Sequence, residues 1–264
     1  MIQSATHRPT ARRASQATFR LSAGALVAAC AIGTATAQQP APVREAKAID
    51  ALSAMGEYLR SLKSYALHAD TTIDEVLESG QKVQFGGTVD YRVQMPDRLR
   101  AEMRTDRRQR DIVYDGKTIT QYAPRMGYYA SIPAPPTIPE ALILVDQKYA
   151  VELPLADLFL WGTPKAGLDD IKEAVYIGPA QIGGRTCDQY AYRQAGVDWQ
   201  VWIQSGKQPL PCKLVITTTS EPAQPQYAAV LKWDLAPKLG ATTFRFTPPK
   251  GAQRIEIAPV PAGK

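Results

Sequence analysis

Few residues of this chain have the types and spacing that catalysis needs. Past residue 37 there is one histidine, His68. Zinc sites of the H-E-x-x-H or Cys2His2 kind need more than that. No serine sits in a G-x-S-x-G elbow. The glycine-rich stretch 178–186 lacks the Gly-Lys-Ser/Thr of a phosphate loop and reads as a Gly183-Gly184 hairpin turn. Asp74-Glu75 and Asp169-Asp170 are the acid pairs that could do acid–base work. Neighbouring acids on loops are more often solvated, so the residues speak against an enzyme, and no metal or cofactor motif is found. Arg104, Arg107, Arg108 and Arg110 form a basic cluster: either a solvated hairpin loop or a contact for an acidic partner or anionic lipid headgroup. Four tryptophans complete the inventory, of which Trp199 and Trp202 fall on opposite faces of one strand, so that one can line the interior while the other is exposed.

The first 37 residues have the features of an export segment. Arg8, Arg12, Arg13 and Arg20 precede a short apolar run, 21–32, and Ala35-Thr36-Ala37 offers a small-x-small cleavage pattern. Val27-Ala28-Ala29-Cys30 also fits a lipoprotein cleavage box, which would leave Cys30 lipidated and the protein anchored. Both alternatives place the mature chain in the periplasm; only the second implies more than transient membrane contact. The export segment holds four of the 31 basic residues and no acid, so 27 basic and 25 acidic residues remain and the net charge drops from +6 to +2. The basic character therefore gives no reason to expect a nucleic-acid partner. Cys187 and Cys212 remain, in a compartment where a disulfide persists; a bridge between them and two buried thiols both fit.

These residues sit on a chain patterned for one long sheet. Between 83 and 95 the odd positions Val83, Phe85, Val89, Tyr91, Val93 and Met95 are apolar and the even ones polar. That period of two puts one apolar face on a strand. Leu99, Ala101 and Met103 continue it after Pro96-Asp97, and Asp115-Gly116 marks a tight hairpin. The spacing predicts a helix over 43–62, with Ile49, Leu52, Met55, Leu59 and Leu62 on its apolar side and Glu57 and Arg60 on its polar side. It predicts strands at 65–77, 82–95, 98–104, 110–115, 117–123 and 127–132. A short apolar helix over 140–148 follows, capped by Thr137, with a second apolar piece at 153–161. Strands resume near 171 and are expected to run to the end. The fold class is α+β: a long curved antiparallel sheet, an incomplete β-barrel, with an N-terminal helix and short lid helices, making residues 38–264 one domain.

Tyr91-Arg-Val-Gln-Met-Pro-Asp-Arg-Leu-Arg100 followed by Tyr114-Asp-Gly-Lys-Thr-Ile-Thr-Gln-Tyr-Ala-Pro124 resembles the LolA-type periplasmic lipoprotein carriers over about 45 residues. Over nearly the whole mature chain the sequence is similar to a bacterial family of predicted periplasmic proteins with no assigned function. There Tyr114-Asp-Gly-Lys-Thr118, Trp199-Gln-Val-Trp202, Pro209-Leu-Pro211, Lys213-Leu-Val-Ile-Thr217, Pro225-Gln-Tyr227 and Phe246-Thr-Pro-Pro249 match in order. The resemblance implies a half-barrel closed by a helical lid over an apolar cavity that takes acyl chains. The expected function is a non-catalytic binder or carrier of a lipid or other apolar small molecule. Its expected cavity wall is Phe85, Tyr91, Val93, Met95, Leu99 and Trp199, with Leu142, Ile143 and Phe159 as lid contacts. The alternative is an envelope sensor or interaction protein, binding an envelope protein through an edge strand or the Arg104–Arg110 loop.

Overall fold

The computed structural model describes residues 42–260. The expected export segment, residues 1–37, and both candidate N-termini lie outside the described residues. The first helix, α1 (Ala46–Ser61), is followed by six strands: β1 (Ser64–Val76), β2 (Lys82–Gln94), β3 (Arg98–Thr105), β4 (Gln109–Tyr114), β5 (Thr118–Ala123) and β6 (Tyr128–Pro133). Then come α2 (Ile138–Tyr149) and a 3-10 turn at Ala156–Phe159. A second run follows of β7 (Glu173–Ile182), β8 (Arg185–Gln194), β9 (Val197–Gln204), β10 (Pro211–Thr218) and β11 (Gln226–Asp234), and a short β12 (Gln253–Arg254). Each run is an antiparallel meander. The two join where β1 pairs with β11, from Ala66 opposite Asp234 to Ile73 opposite Tyr227. The result is one open, curved, 12-stranded sheet in the order β12-β6-β5-β4-β3-β2-β1-β11-β10-β9-β8-β7.

Local chemistry accounts for the turns. Asp115 Oδ1 accepts the amides of Lys117 (3.0 Å) and Thr118 (2.8 Å), and Gly116 takes φ 89°. A side chain at Gly116 would press on the Asp97 carboxylate. Register then follows pattern, because a one-residue slip would turn every apolar side chain of β2 outward. The concave face carries the main core: Tyr65, Leu67, Val89, Tyr91, Val93, Leu99 and Ile112 are all buried there against α1 and α2.

The sheet's two edges are protected differently. Val43–Glu45 bridges β7 at Ala174, with Glu45 N–H donating to Ala174 O (2.8 Å) and Ala174 N–H to Val43 O (2.9 Å). The Glu45 carboxylate also accepts the Tyr176 amide. At the other edge β12 pairs in parallel with β6. The expectation that strands run to the C-terminus is corrected here. After Asp234, prolines at 237, 248 and 249 withhold ladder donors, and the chain runs outside the sheet. Phe246 packs on Tyr122 (5.8 Å) and Tyr129 (5.2 Å), outward-facing residues of β5 and β6. Val260 N–H then reaches Lys148 O of α2 (2.8 Å).

The convex face carries the one histidine past residue 37. His68 Nδ1 lies 2.8 Å from Asp90 Oδ1 and its Nε2 3.3 Å from Asp70 Oδ1, while Lys232 holds the other Asp70 oxygen at 2.9 Å. The hydrogen bond to Asp90 raises the His68 pKa above the usual 6.5, with Asp70 adding to it and partial burial opposing. A raised folded-state value means a contribution present in full below pH 6.5 and lost as pH climbs through that value. An NMR titration should place the His68 midpoint above 6.5, and Asp90→Asn should bring it back toward 6.5. An unshifted His68 midpoint would contradict this geometry.

Candidate functional site

The apolar face of the first meander is covered by a lid running from α2 through the 3-10 turn to Trp161. On α2 the buried residues are Ile138, Ala141, Leu142 and Val145. This i, i+3, i+4, i+7 set makes one helical face. Thr137 stands at the cap as expected, but its hydroxyl bonds the Glu140 carboxylate rather than a backbone amide. After α2 the chain turns through left-handed Ala150 (φ 51°) and Leu155 (φ 62°). Leu153, Leu155, Leu158, Phe159 and Trp161 are then all buried.

Of the residues expected to line a cavity, Tyr91, Val93, Leu99, Trp199, Leu142 and Phe159 belong to this one core, with Met95 at its margin. Phe85 and Ile143 do not join them. Ile143 lies off the buried face of α2, and Phe85 sits beyond the lid with the Arg107 guanidinium 4.0 Å above its ring. Where an open cavity was expected, these side chains fill the space themselves. The void between Leu99, Ile112, Tyr114, Leu142, Val145 and Leu153 measures about 10 Å³, the room of a single water. Tyr91 and Phe159 pack edge to face at 5.6 Å. Trp199 stacks on Tyr192 (4.1 Å) and Trp161 (6.1 Å).

Polar groups fasten this lid, and the most important was hidden from the sequence. Arg60, placed by periodicity on the polar side of α1, points its guanidinium at the lid. It donates to the carbonyls of Leu158 (2.9 Å), Phe159 (2.7 Å) and Trp161 (2.6 Å). These are C-terminal carbonyls of a helical turn, which a cation satisfies well. One turn earlier, Gly56 touches Gly162: a Cβ at Gly56 would stand 2.4 Å from Gly162 N, and Gly162 needs φ 77°. The sequence signal that could have found this is Gly56 and Arg60 at i, i+4 with Gly162 after an apolar run. The Tyr91 hydroxyl donates to Pro154 O (2.5 Å), Arg110 to Glu152 O (3.1 Å), and the Tyr114 hydroxyl to Pro135 O.

The remaining candidates separate. Arg104 pairs with Asp111 (2.5 Å) and Arg107 with Glu75 (3.5 Å), while Arg110 turns inward, so the basic cluster is not one solvated loop. Asp74 faces Lys82 at 3.6 Å, and Asp169 and Asp170 close a short 3-10 turn at Leu168–Asp170. Among the described residues no three His, Cys, Asp or Glu side chains gather as a metal site. Cys187 and Cys212 form a disulfide, buried on the outer face with Trp202. That contact shields Trp202, which is 7% exposed rather than open to solvent.

An open antiparallel sheet whose concave face is closed by a fastened helical lid defines a half-barrel architecture of the kind the LolA-type resemblance implied. The chain belongs to the family described as "Predicted periplasmic protein (DUF2092)", whose model matches residues 48–258, and this membership places it in the periplasm. No curated protein matches it. Among solved structures it is similar to lipoprotein LppX of Mycobacterium tuberculosis: 10% identity, TM-score 0.45, covering 74% of this chain and 98% of that one. It is similar also to LprF of Mycobacterium bovis (14%, TM-score 0.42, 81% and 100%). A third is the Pseudomonas aeruginosa MucA/MucB complex (16%, TM-score 0.42, 80% and 64%).

Proposed function

We propose that residues 38–264 act, after an export segment, as one non-catalytic periplasmic domain that holds an acyl chain or comparable apolar ligand between lid and sheet. The observation that carries this is the lid itself. It covers a continuous apolar face, yet its main-chain link to the sheet is slight (Ile138 N–H to Pro96 O, 2.9 Å), and its fastenings are side chains reaching for its carbonyls.

Because the space is already filled, loading requires the lid to lift. Uncovering large lid side chains such as Leu142, Leu153, Leu158 and Phe159 costs about 2 kcal/mol each. An acyl chain returns about 0.8 kcal/mol per buried methylene. With about 3 kcal/mol more for the Arg60 bonds that must break, chains of roughly fourteen methylenes break even, so octanoate cannot open the lid and palmitate can. Hydrogen exchange across residues 138–161 should change with palmitate and not with octanoate. Protein purified from its own periplasm without detergent should carry an extractable lipid mass in native mass spectrometry. A bare polypeptide mass together with no palmitate uptake would defeat this reading.

The second reading is an envelope interaction protein. One observation favours it: beyond Ala174 the outer edge of β7 has no partner strand among the described residues and presents Ile177, 54% exposed. The irregularity between Tyr176 and Gly178, with Pro179 after it, restricts what could pair there.

A further inference from the structure

We propose that the outer face of the sheet carries a second site, which takes a small organic anion: a carboxylate or phosphate on a compact apolar body. The site lies on the side of the sheet opposite the lid and does not depend on the acyl-chain reading. Between the first meander and the C-terminal chain that crosses it is a cavity of about 270 Å³, against about 10 Å³ beneath the lid. That volume is close to the lower end of ligand sites. Register sets its floor. Arg100 stands opposite Val113 and Asp111 opposite Tyr122, all on the face of β3, β4 and β5 turned away from the core. The facing wall is the tail, with Thr242, Arg245, Phe246 and Thr247. This tail is held on both sides of the cavity. Gly240 N–H donates to Thr243 Oγ1 (3.0 Å), Arg245 N–H to Thr242 O (3.1 Å), and Phe244 is buried. Past the cavity, Gln253 N–H reaches Gly127 O (2.8 Å) and Ile255 N–H reaches Tyr129 O (2.9 Å). The space is therefore preformed.

The charges around this space do not balance. Arg92 (3.2 Å) and Arg100 (2.9 Å) share the Glu102 carboxylate, and Arg104 takes Asp111 (2.5 Å). With Arg245, four arginines stand against two acids, which leaves two positive charges over. The Arg245 side chain has no hydrogen bond and no ion pair among the described residues. Arg100 spends only its Nε, so both of its terminal nitrogens are open. A lone surface arginine is ordinary. This one lines a walled space that it shares with the unused nitrogens of a second, one arginine on the tail and the other on the sheet. Guanidinium forks match the paired oxygens of a carboxylate or phosphate. The one acid in the wall, Asp111, is already matched by Arg104 and cancels neither. Val113, Tyr122 and Phe246 receive the apolar remainder, with the Phe246 ring fixed against Tyr122 (5.8 Å) and Tyr129 (5.2 Å). A ring or short alkyl body is buried there while its anionic group meets the two arginines.

The test is an NMR titration of the mature protein with benzoate, phenyl phosphate and benzyl alcohol, followed at the amides of residues 111–113 and 242–247. At least one anion should give saturable shifts there and bind about tenfold or more tighter than the alcohol, with the difference shrinking as salt is raised. Whichever anion binds identifies the group as carboxylate or phosphate. Arg245→Gln should weaken that anion about tenfold, the low end for a charge-assisted bond. It should leave the urea midpoint of the free protein where it was, because the side chain has no partner to lose. Thr247→Trp, which sets a large side chain on the cavity wall, should weaken the anion and the alcohol alike. No saturable shift at these amides with either anion, or binding that Arg245→Gln leaves unchanged, overturns the inference. Palmitate uptake and hydrogen exchange across residues 138–161 should be the same in Arg245→Gln as in the parent, so failure of this site and failure of the acyl-chain reading are read separately.

Discussion

Replacing Arg60 by glutamine is expected to cost about 3–4 kcal/mol of stability and to free the lid before the rest of the fold unfolds. The figure comes from three hydrogen bonds made by one cation to the carbonyls of Leu158, Phe159 and Trp161. Bonds to a charged group contribute about 1.5–3 kcal/mol each; they share one side chain, which is half-buried, so the total falls well short of their sum. Lysine should not substitute, because its ammonium cannot span three carbonyls as a planar fork does. The contact between Gly56 and Gly162 sets that fork at its working distance, as it brings the two backbones together one turn away. Urea denaturation gives the cost, and hydrogen exchange at residues 158–163 shows where it falls. A loss below about 1 kcal/mol would place the guanidinium among ordinary surface contacts. If the lid must lift to load, the same variant should also take up shorter chains than the parent.

Arg60 also shows where sequence reasoning stops. The alternation from Val83 to Met95 is a local consequence of the strand's period, and it placed Val89, Tyr91 and Val93 on the buried face where they are found. Asp115-Gly116 and Thr137 likewise mark their turn and helix start through chemistry within a few residues. What the pattern cannot carry is anything decided between distant segments. The pairing of β1 with β11 joins residues more than 150 positions apart and leaves no periodic trace. A helical wheel assigns Arg60 to solvent because it is charged, whereas the lid supplies partners that make a half-buried cation favourable. The same holds for the cavity. Alternation identifies an apolar face, but whether that face encloses space depends on how closely Leu142 and Phe159 approach it, a matter of packed volume rather than of order along the chain. The C-terminal tail departs from the expected strands because its prolines at 237, 248 and 249 exclude ladder pairing.

Removing the disulfide, by Cys187→Ser with Cys212→Ser, is expected to cost about 3 kcal/mol without touching the lid. The bond closes 25 residues and ties the start of β8 to the start of β10 across β9, at a register shift between Pro211 and Lys213. Its entropic benefit lies in the unfolded chain. Its native surroundings are a separate small cluster on the outer face, where Trp202 packs with the two cysteines and Lys213 Nζ stands 4.7 Å from the Trp202 ring. None of these residues belongs to the core beneath α2. The double variant should therefore lower the urea midpoint while lid exchange keeps its margin over the rest of the chain, the converse of Arg60→Gln. Combining the two should be additive within about 0.5 kcal/mol, as for sites that share no partner. A larger coupling would mean that the outer-face cluster and the lid read one another through the sheet, and the lid could no longer be treated as a unit that opens alone.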